Sequence, residues 1–313
     1  MINFLRNSLR LVRPRQWVKN FAIFASLIFS GQLFDPSTFQ TVTLGFIVFC
    51  AVSSAIYIFN DIVDIPKDRL HPFKRFRPLA NKELSVTFGI GLAIVLALVG
   101  LFISANISLI FLLTTLAFII MQFLYSLYLK HIAIIDILTL AMGYIIRVYA
   151  GEFITGFHIS VWLLLTTVSL SLFLAVGKRR RELTLISQYS SAQIAAVRKS
   201  LSHYSEGLLD MYAAIFATTG FIFYSLFTFL GSSQINNDLL LPDYLPVQLQ
   251  RKWLMLTILP VVYGLMRYLQ DIYEKHEGES PEKVLFSDKQ LLATVIIWFL
   301  LTIGVIYGLQ EKY

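Results

Sequence analysis

Asn60, Asp61, Asp64 and Asp68 are separated by one, three and four residues and follow directly on an apolar run. On a continuous helix they would share an arc of about 100°. Three carboxylates so close repel one another, and at the membrane end of a helix they are costly unless a cation lies among them. Mg²⁺ suits them: it takes oxygen ligands, is held by a few carboxylates, and completes its shell with water and substrate phosphates. The spacing therefore predicts Mg²⁺ on Asn60, Asp61, Asp64 and Asp68, and a diphosphate substrate. Pro66 disfavours helix at Ile65 and lacks a backbone donor, so a kink is expected there, with Asp64 capping a second short helix. The plainer alternative is a solvated loop whose acids pair with Lys67, Arg69, Lys74, Arg75 and Arg77. Against it, N-D-x-x-D-x-x-x-D runs straight into H-P-x-K-x-x-R-P at His71 to Pro78.

The elements that must position these acids are membrane helices. The chain has 313 residues, 57% hydrophobic and 14% charged, against about 25% charged in soluble domains, and a mean hydropathy of +0.69. Nine apolar runs are long enough to cross a bilayer, near 17–34, 39–59, 84–103, 107–129, 132–150, 159–177, 208–231, 253–272 and 290–309. The fold class expected is an all-α polytopic membrane protein of about nine transmembrane helices. It forms a single integral domain over 1–313, with catalytic loops at about 60–83, 126–131, 178–206 and 273–289. No cleavable signal peptide is read, because no A-x-A-like site follows the first apolar run.

The net charge of +7 points away from nucleic acid once the charges are placed. With the N-terminus inside, 22 of the 26 Lys and Arg fall in inner segments, as the positive-inside rule requires. This predicts a multi-pass inner (plasma) membrane protein with N-terminus and active site cytoplasmic and C-terminus outside. Cys50, the single cysteine, lies within an apolar run and reads as packing, which excludes an intramolecular disulfide and a Cys-based zinc site. The outer segment 231–250 reads as a lid or surface loop, and homo-oligomerisation is left open.

"NDIVDIPKD" at 60–68 resembles the first aspartate-rich motif of the UbiA-type prenyltransferase superfamily, and "RPRQWVKN" at 13–20 and "YSLYLK" at 125–130, with Asp136 after it, are similar to that superfamily's pattern. The resemblance implies a nine-helix UbiA-like bundle binding a phosphorylated isoprenoid with Mg²⁺. Typical members carry a second D-x-x-x-D after the sixth helix. Here that loop reads "GKRRRELTL", with Lys178 and Glu182 where the two acids would be sought. An acid pair lost and cations gained argue for more phosphate groups to neutralise. Within the superfamily the acid loop and "KRRREL" most resemble the decaprenyl-phosphate phosphoribosyltransferase branch. That implies transfer of 5-phosphoribose from phosphoribosyl diphosphate (PRPP) to a polyprenyl phosphate.

On that reading Asp61, Asp64 and Asp68 are catalytic through the metal, and Lys19, Lys74, Arg77 and Lys130 clamp phosphate oxygens. Lys178, Arg179, Arg180, Arg181 and Glu182 serve the 5-phosphate or the lipid phosphate; Arg180 and Arg181 are equally a positive-inside anchor. Tyr125 ends the fourth run, and Asp136, one turn beyond Lys130, is assigned to the site because an acid at that depth needs a partner. Arg147 is too far along the helix to pair with Asp136, so Glu152 is its expected partner. His71 is assigned to phosphate or to loop stabilisation. Glu282 and Asp288 either reach the ribose hydroxyls or cap the last helix. Two other functions share these features: an aromatic or quinone-type prenyltransferase using a prenyl diphosphate, and a non-catalytic lipid transporter.

Overall fold

The computed structural model describes residues 2–70, 74–186, 199–230, 253–274 and 281–308, and every regular element among them is a helix. In chain order the α-helices are α1 (Ile2–Val12), α2 (Ala25–Phe29), α3 (Pro36–Val63), α4 (Ile65–Leu70), α5 (Val86–Ile107), α6 (Leu109–Leu127), α7 (Ile135–Thr155), α8 (Val161–Ile186), α9 (Glu206–Leu230), α10 (Ile258–Glu274), α11 (Pro281–Ser287) and α12 (Lys289–Gly308). Side-chain caps start several of the long ones. Asp35 accepts from the Thr38 amide at 2.8 Å, with Pro36 next. Ser85 and Ser108 accept from the amides of Phe88 and Phe111, both at 3.1 Å. These caps take up donors that would otherwise be orphaned at the helix ends.

Among the described residues seven helices are long and apolar enough to cross a membrane: α3, α5, α6, α7, α8, α9 and α12. The chain is a multi-pass membrane protein. The other two expected runs are helical but composite. Residues 17–34 begin within a 3₁₀ helix, Pro14–Phe24, and pass through α2 to Gly31 at φ 80°. Residues 253–272 open with a 3₁₀ turn, Trp253–Thr257, before α10. Pro260, in the first turn of α10, has no amide to bond back, so the α-helix cannot extend towards residue 253. The segment 231–250 lies outside the described residues.

Helix α7 is central, touching the 3₁₀ helix, α3, α6 and α8, while α3 packs along α5 and α8 along α9. One apolar core gathers Ile23, Leu27, Phe49, Phe111 and Phe118; a second gathers Phe173, Val176, Leu209 and Ile272. In lipid, such helices associate through close packing and small residues. Gly151 is the sharpest case: a Cβ there would stand 1.9 Å from the Ile23 carbonyl oxygen. A smaller cluster of Leu11, Ile58, Leu79 and Leu84 pins the end of α1 and the segment after Arg77 to the site end of α3.

Candidate active site

The break in the acid helix falls at Asp64, between α3 and α4. Ile65, expected to resist helix, is instead the first residue of α4. Pro66 is second, where its missing N–H leaves no bond unmade, and the Asp68 amide donates to the Asp64 carbonyl at 2.8 Å. The break divides the acids. Asp61 and Asp68 turn to one cation: Arg77 Nη1 lies 3.0 Å from Asp61 Oδ1 and 2.7 Å from Asp68 Oδ2. Arg13 Nη2 adds a second contact to Asp61 Oδ1 at 2.5 Å. Asp64 turns to Lys130, whose Nζ lies 2.7 and 2.9 Å from its two oxygens and 3.3 Å from Asn60 Oδ1.

Of the cations expected to pair with the acids, Arg77 does so; Arg69 instead donates to the Ala80 carbonyl at 3.2 Å. Arg13 was not among those expected. It stands in the left-handed region at φ 56°, where the chain turns from α1 into the 3₁₀ helix, and its guanidinium also lies over the Tyr57 ring. A non-glycine residue held there costs of order 1–3 kcal/mol. The signal was its place at the head of "RPRQWVKN". Lys74, half-buried, lies within electrostatic reach of Asp68. Burial raises the Asp68 carboxyl above its ordinary value against the pull of Arg77. His71 lies outside the described residues.

A second ionic knot is fully buried. Asp136 and Arg179 are each 0% exposed, with Arg179 Nε 2.7 Å from Asp136 Oδ2. Arg179 also reaches Glu182 and donates to the Tyr125 hydroxyl at 2.9 Å. Tyr204 donates to Asp136 Oδ1 at 2.7 Å and accepts from the Ile134 amide at 2.6 Å. Burial and that bond to Asp136 hold the Tyr204 hydroxyl well above its ordinary value, so it remains a donor. Ser200 lies within hydrogen-bond reach of Asp136 and of the Lys130 carbonyl, linking the two knots. Asp136, Tyr125 and Glu182 thus come together with Lys130, and the partner that Asp136 demanded is Arg179.

Lys178 enters none of these pairs; it lies half-buried within electrostatic reach of Tyr125, Glu182 and Lys19. Arg180 meets Asp210 at 2.7 Å and Glu206 at 3.0 Å on α9, and Arg181 donates to the Asp271 carbonyl. Glu152 is not the partner of Arg147. It pairs with His158, while Arg147 bonds Asn20. Glu282 and Asp288 separate: Asp288 caps α12 through the Leu291 amide at 2.8 Å and pairs with Arg267, whereas Glu282 meets Lys19 at 3.1 Å and bonds Gln16.

The donor chemistry of Asn60, Asp61, Asp64 and Asp68, oxygen only and mostly anionic, fits a hard divalent cation. Their placement already balances each carboxylate with Arg13, Arg77 or Lys130, and no group of three or more acids, His or Cys is gathered for a metal among the described residues. Cations and acids are interleaved, which suits a ligand that itself carries both signs of charge.

The chain matches the UbiA prenyltransferase family over residues 20–289. Over 304 residues it is 34% identical to the decaprenyl-phosphate phosphoribosyltransferase of Mycolicibacterium smegmatis, covering 95% of this chain and 91% of that one. Over 309 residues it is 31% identical to the enzyme of the same name from Corynebacterium glutamicum, covering 97% and 88%. In fold it is similar to a UbiA homologue from Archaeoglobus fulgidus bound to GPP and Mg²⁺, with a TM-score of 0.69 at 17% identity, covering 96% of this chain and 99% of that one.

Proposed function

The chain belongs to the UbiA prenyltransferase family, and on that premise we propose that it transfers 5-phosphoribose from PRPP to a polyprenyl phosphate and releases diphosphate. The observation that carries this reading is the likeness, along almost the whole of both chains, to relatives named for that reaction. The geometry supports it. Arg13, Lys19, Arg77 and Lys130 lie on Asp61, Glu282, Asp68 and Asp64, with Lys178 nearby, so cations are at hand for two phosphorylated substrates that repel each other. The stretch expected as a loop lies within α8, whose last turns carry Lys178 and Glu182 where a second acid pair would serve a prenyl diphosphate.

Asn60, Asp61, Asp64 and Asp68 would hold Mg²⁺, which when bound makes diphosphate a better leaving group. Arg13, Arg77 and Lys130 would turn from carboxylate to phosphate oxygens, so that each side chain exchanges one opposite charge for another. Lys19 adds positive charge to the donor's diphosphate, and Lys178 to the 5-phosphate or the lipid phosphate. One lipid phosphate oxygen forms a bond to the anomeric carbon while that carbon's bond to the diphosphate oxygen breaks, and the electron pair leaves with diphosphate. The attacking oxygen is already anionic, so no general base is needed; alignment and charge stabilisation lower the barrier. Arg179 acts behind the site, holding Asp136, Tyr125 and Glu182 in place. We further infer a cytoplasmic active site in the inner membrane, from the side on which Lys and Arg accumulate.

The test offers purified protein in detergent two donors with Mg²⁺. Labelled PRPP and polyprenyl phosphate are expected to yield labelled lipid. Alkylation of an aromatic acceptor by a prenyl diphosphate, with no label entering lipid from PRPP, overturns the reading.

A further inference from the structure

The 3₁₀ helix Pro14–Phe24 is eleven residues long, whereas such helices seldom exceed about four. Its surroundings hold it. Three residues per turn place Trp17, Asn20 and Ile23 in line on one face, and Gln16 and Lys19 in line on the next. The first face is fixed to the bundle: Trp17 Nε1 donates to Ser54 Oγ at 3.0 Å, Asn20 Nδ2 to Cys50 Sγ at 3.3 Å, and the Ile23 carbonyl lies against Gly151. The second face meets Glu282, through Lys19 at 3.1 Å and through Gln16.

The registers agree. Three residues of 3₁₀ helix advance about 6 Å, and four residues of α-helix advance the same about 6 Å. Cys50 and Ser54 are four apart on α3, and Arg147 and Gly151 four apart on α7. Each 3₁₀ turn therefore meets one turn of either neighbour. An α-helical 14–24 would rotate by about 60° over three residues and carry Asn20 away from Trp17's line.

Arg147 is the pin. Its Nε donates to Asn20 Oδ1 at 2.6 Å, its Nη1 to the Gly143 carbonyl at 2.5 Å and its Nη2 to Ser53 Oγ at 3.3 Å, with the guanidinium 4.6 Å from the Phe118 ring centroid. None of these partners is an acid, although the residue is buried within a membrane-spanning helix. Among the described residues this intramembrane cation is met by dipoles and by the Phe118 and Tyr144 rings, a costly feature that marks function.

We propose that Arg147, acting through Asn20, is a positioning residue: it locks the 3₁₀ register of residues 14–24 and so aims Lys19, one residue away, at the phosphates of the donor. This rests on the reading above that Lys19 meets the donor. Three neutral acceptors in fixed directions call for a planar fork, so lysine does not replace it.

The test is a double-mutant cycle on the full-length protein in detergent, using Asn20→Ala, Arg147→Lys and Lys19→Met. Asn20→Ala severs the link while leaving Arg147 its other bonds, and serves where Arg147→Lys fails to fold. Each is expected to raise KM for PRPP about tenfold, with KM for polyprenyl phosphate nearly unchanged; in Lys19→Met protein neither adds further loss. Losses that multiply with Lys19→Met, or that fall equally on both substrates, overturn the proposal. If wild-type protein moves no phosphoribose, the function proposed above fails instead. The cycle is then read by calorimetric binding of magnesium diphosphate, where the same tenfold weakening, absent in Lys19→Met, is expected, and independent losses again overturn it.

Discussion

Lys130 donates to both carboxylate oxygens of Asp64, at 2.7 and 2.9 Å, and so ties the turn before α7 to the break between α3 and α4. Lys130 is 6% exposed and the Asp64 side chain 18%. Removing one member of a fully buried pair costs about 3–5 kcal/mol because the other charge is stranded. Lys130→Met is therefore expected to lower stability by about 2–3 kcal/mol, the partial exposure of Asp64 softening the loss. Adding Asp64→Asn should restore about 1–2 kcal/mol. Denaturation of the four proteins in detergent checks this, and simple addition of the two losses would contradict it.

Arg179 bridges acids on α7 and on its own helix, with Tyr125 as its third contact. Lysine offers a point charge where a fork is required. Arg179→Lys is expected to lose about 2–4 kcal/mol of stability, and Arg179→Met more, since Asp136 would then lie buried with Tyr204 and Ser200 as its side-chain donors among the described residues. The thermal midpoint of each variant is the measurement, and a shift within the error of wild type for Arg179→Lys would count against the knot.

Gly151→Ala and Gly91→Ala should part company. The first would place a Cβ 1.9 Å from the Ile23 carbonyl and push the 3₁₀ helix off α7, while the second has open space around it. Gly151→Ala is expected to lower the thermal midpoint and raise KM for the donor; Gly91→Ala gains about 0.5–1 kcal/mol from helix propensity.

The acid motif, its kink and the apolar spans were legible because they are local: spacing, proline and run length lie within one segment. What joined the segments was not. Spacing along one helix ruled out an Arg147–Asp136 pair, but it could not see Asn20 on the far side of the bundle and so pointed to Glu152. Arg179 was masked among four consecutive cations, and only the packing of α8 against α7 separates its buried role from those of Lys178 and Arg180. Nor does "RPRQWVKN" announce a 3₁₀ helix. Its faces repeat every three residues, yet the repeat becomes meaningful only beside the four-residue repeats of α3 and α7. Asn20 and Arg147, polar residues within apolar runs, were the available signals.

Lys178 and Arg180 are near neighbours with opposite expectations. Lys178 enters no ion pair among the described residues and is proposed to meet phosphate; Arg180 is held by Glu206 and Asp210. Lys178→Met is expected to cut kcat/KM at least tenfold, the order of one lost charge-assisted contact. Arg180→Gln should leave it within about twofold and cost about 1 kcal/mol of stability, since Glu206 and Asp210 remain in contact with water. Steady-state kinetics on the two variants decides, and the reverse ranking would move the phosphate contact from one residue to the other.

On the function proposed above, this site breaks the bond between ribose and diphosphate and gives the sugar to a lipid phosphate. The most direct measurement counts both products at once: label from PRPP entering the organic phase, and diphosphate released into water, for wild-type, Asp61→Asn and Asp64→Asn proteins with Mg²⁺ and after EDTA. One diphosphate per labelled lipid, abolished by EDTA and reduced at least a hundredfold in either variant, is the predicted result, as expected when metal-assisted charge stabilisation is removed. Diphosphate release without lipid labelling, or labelling that survives EDTA and both substitutions, would contradict it.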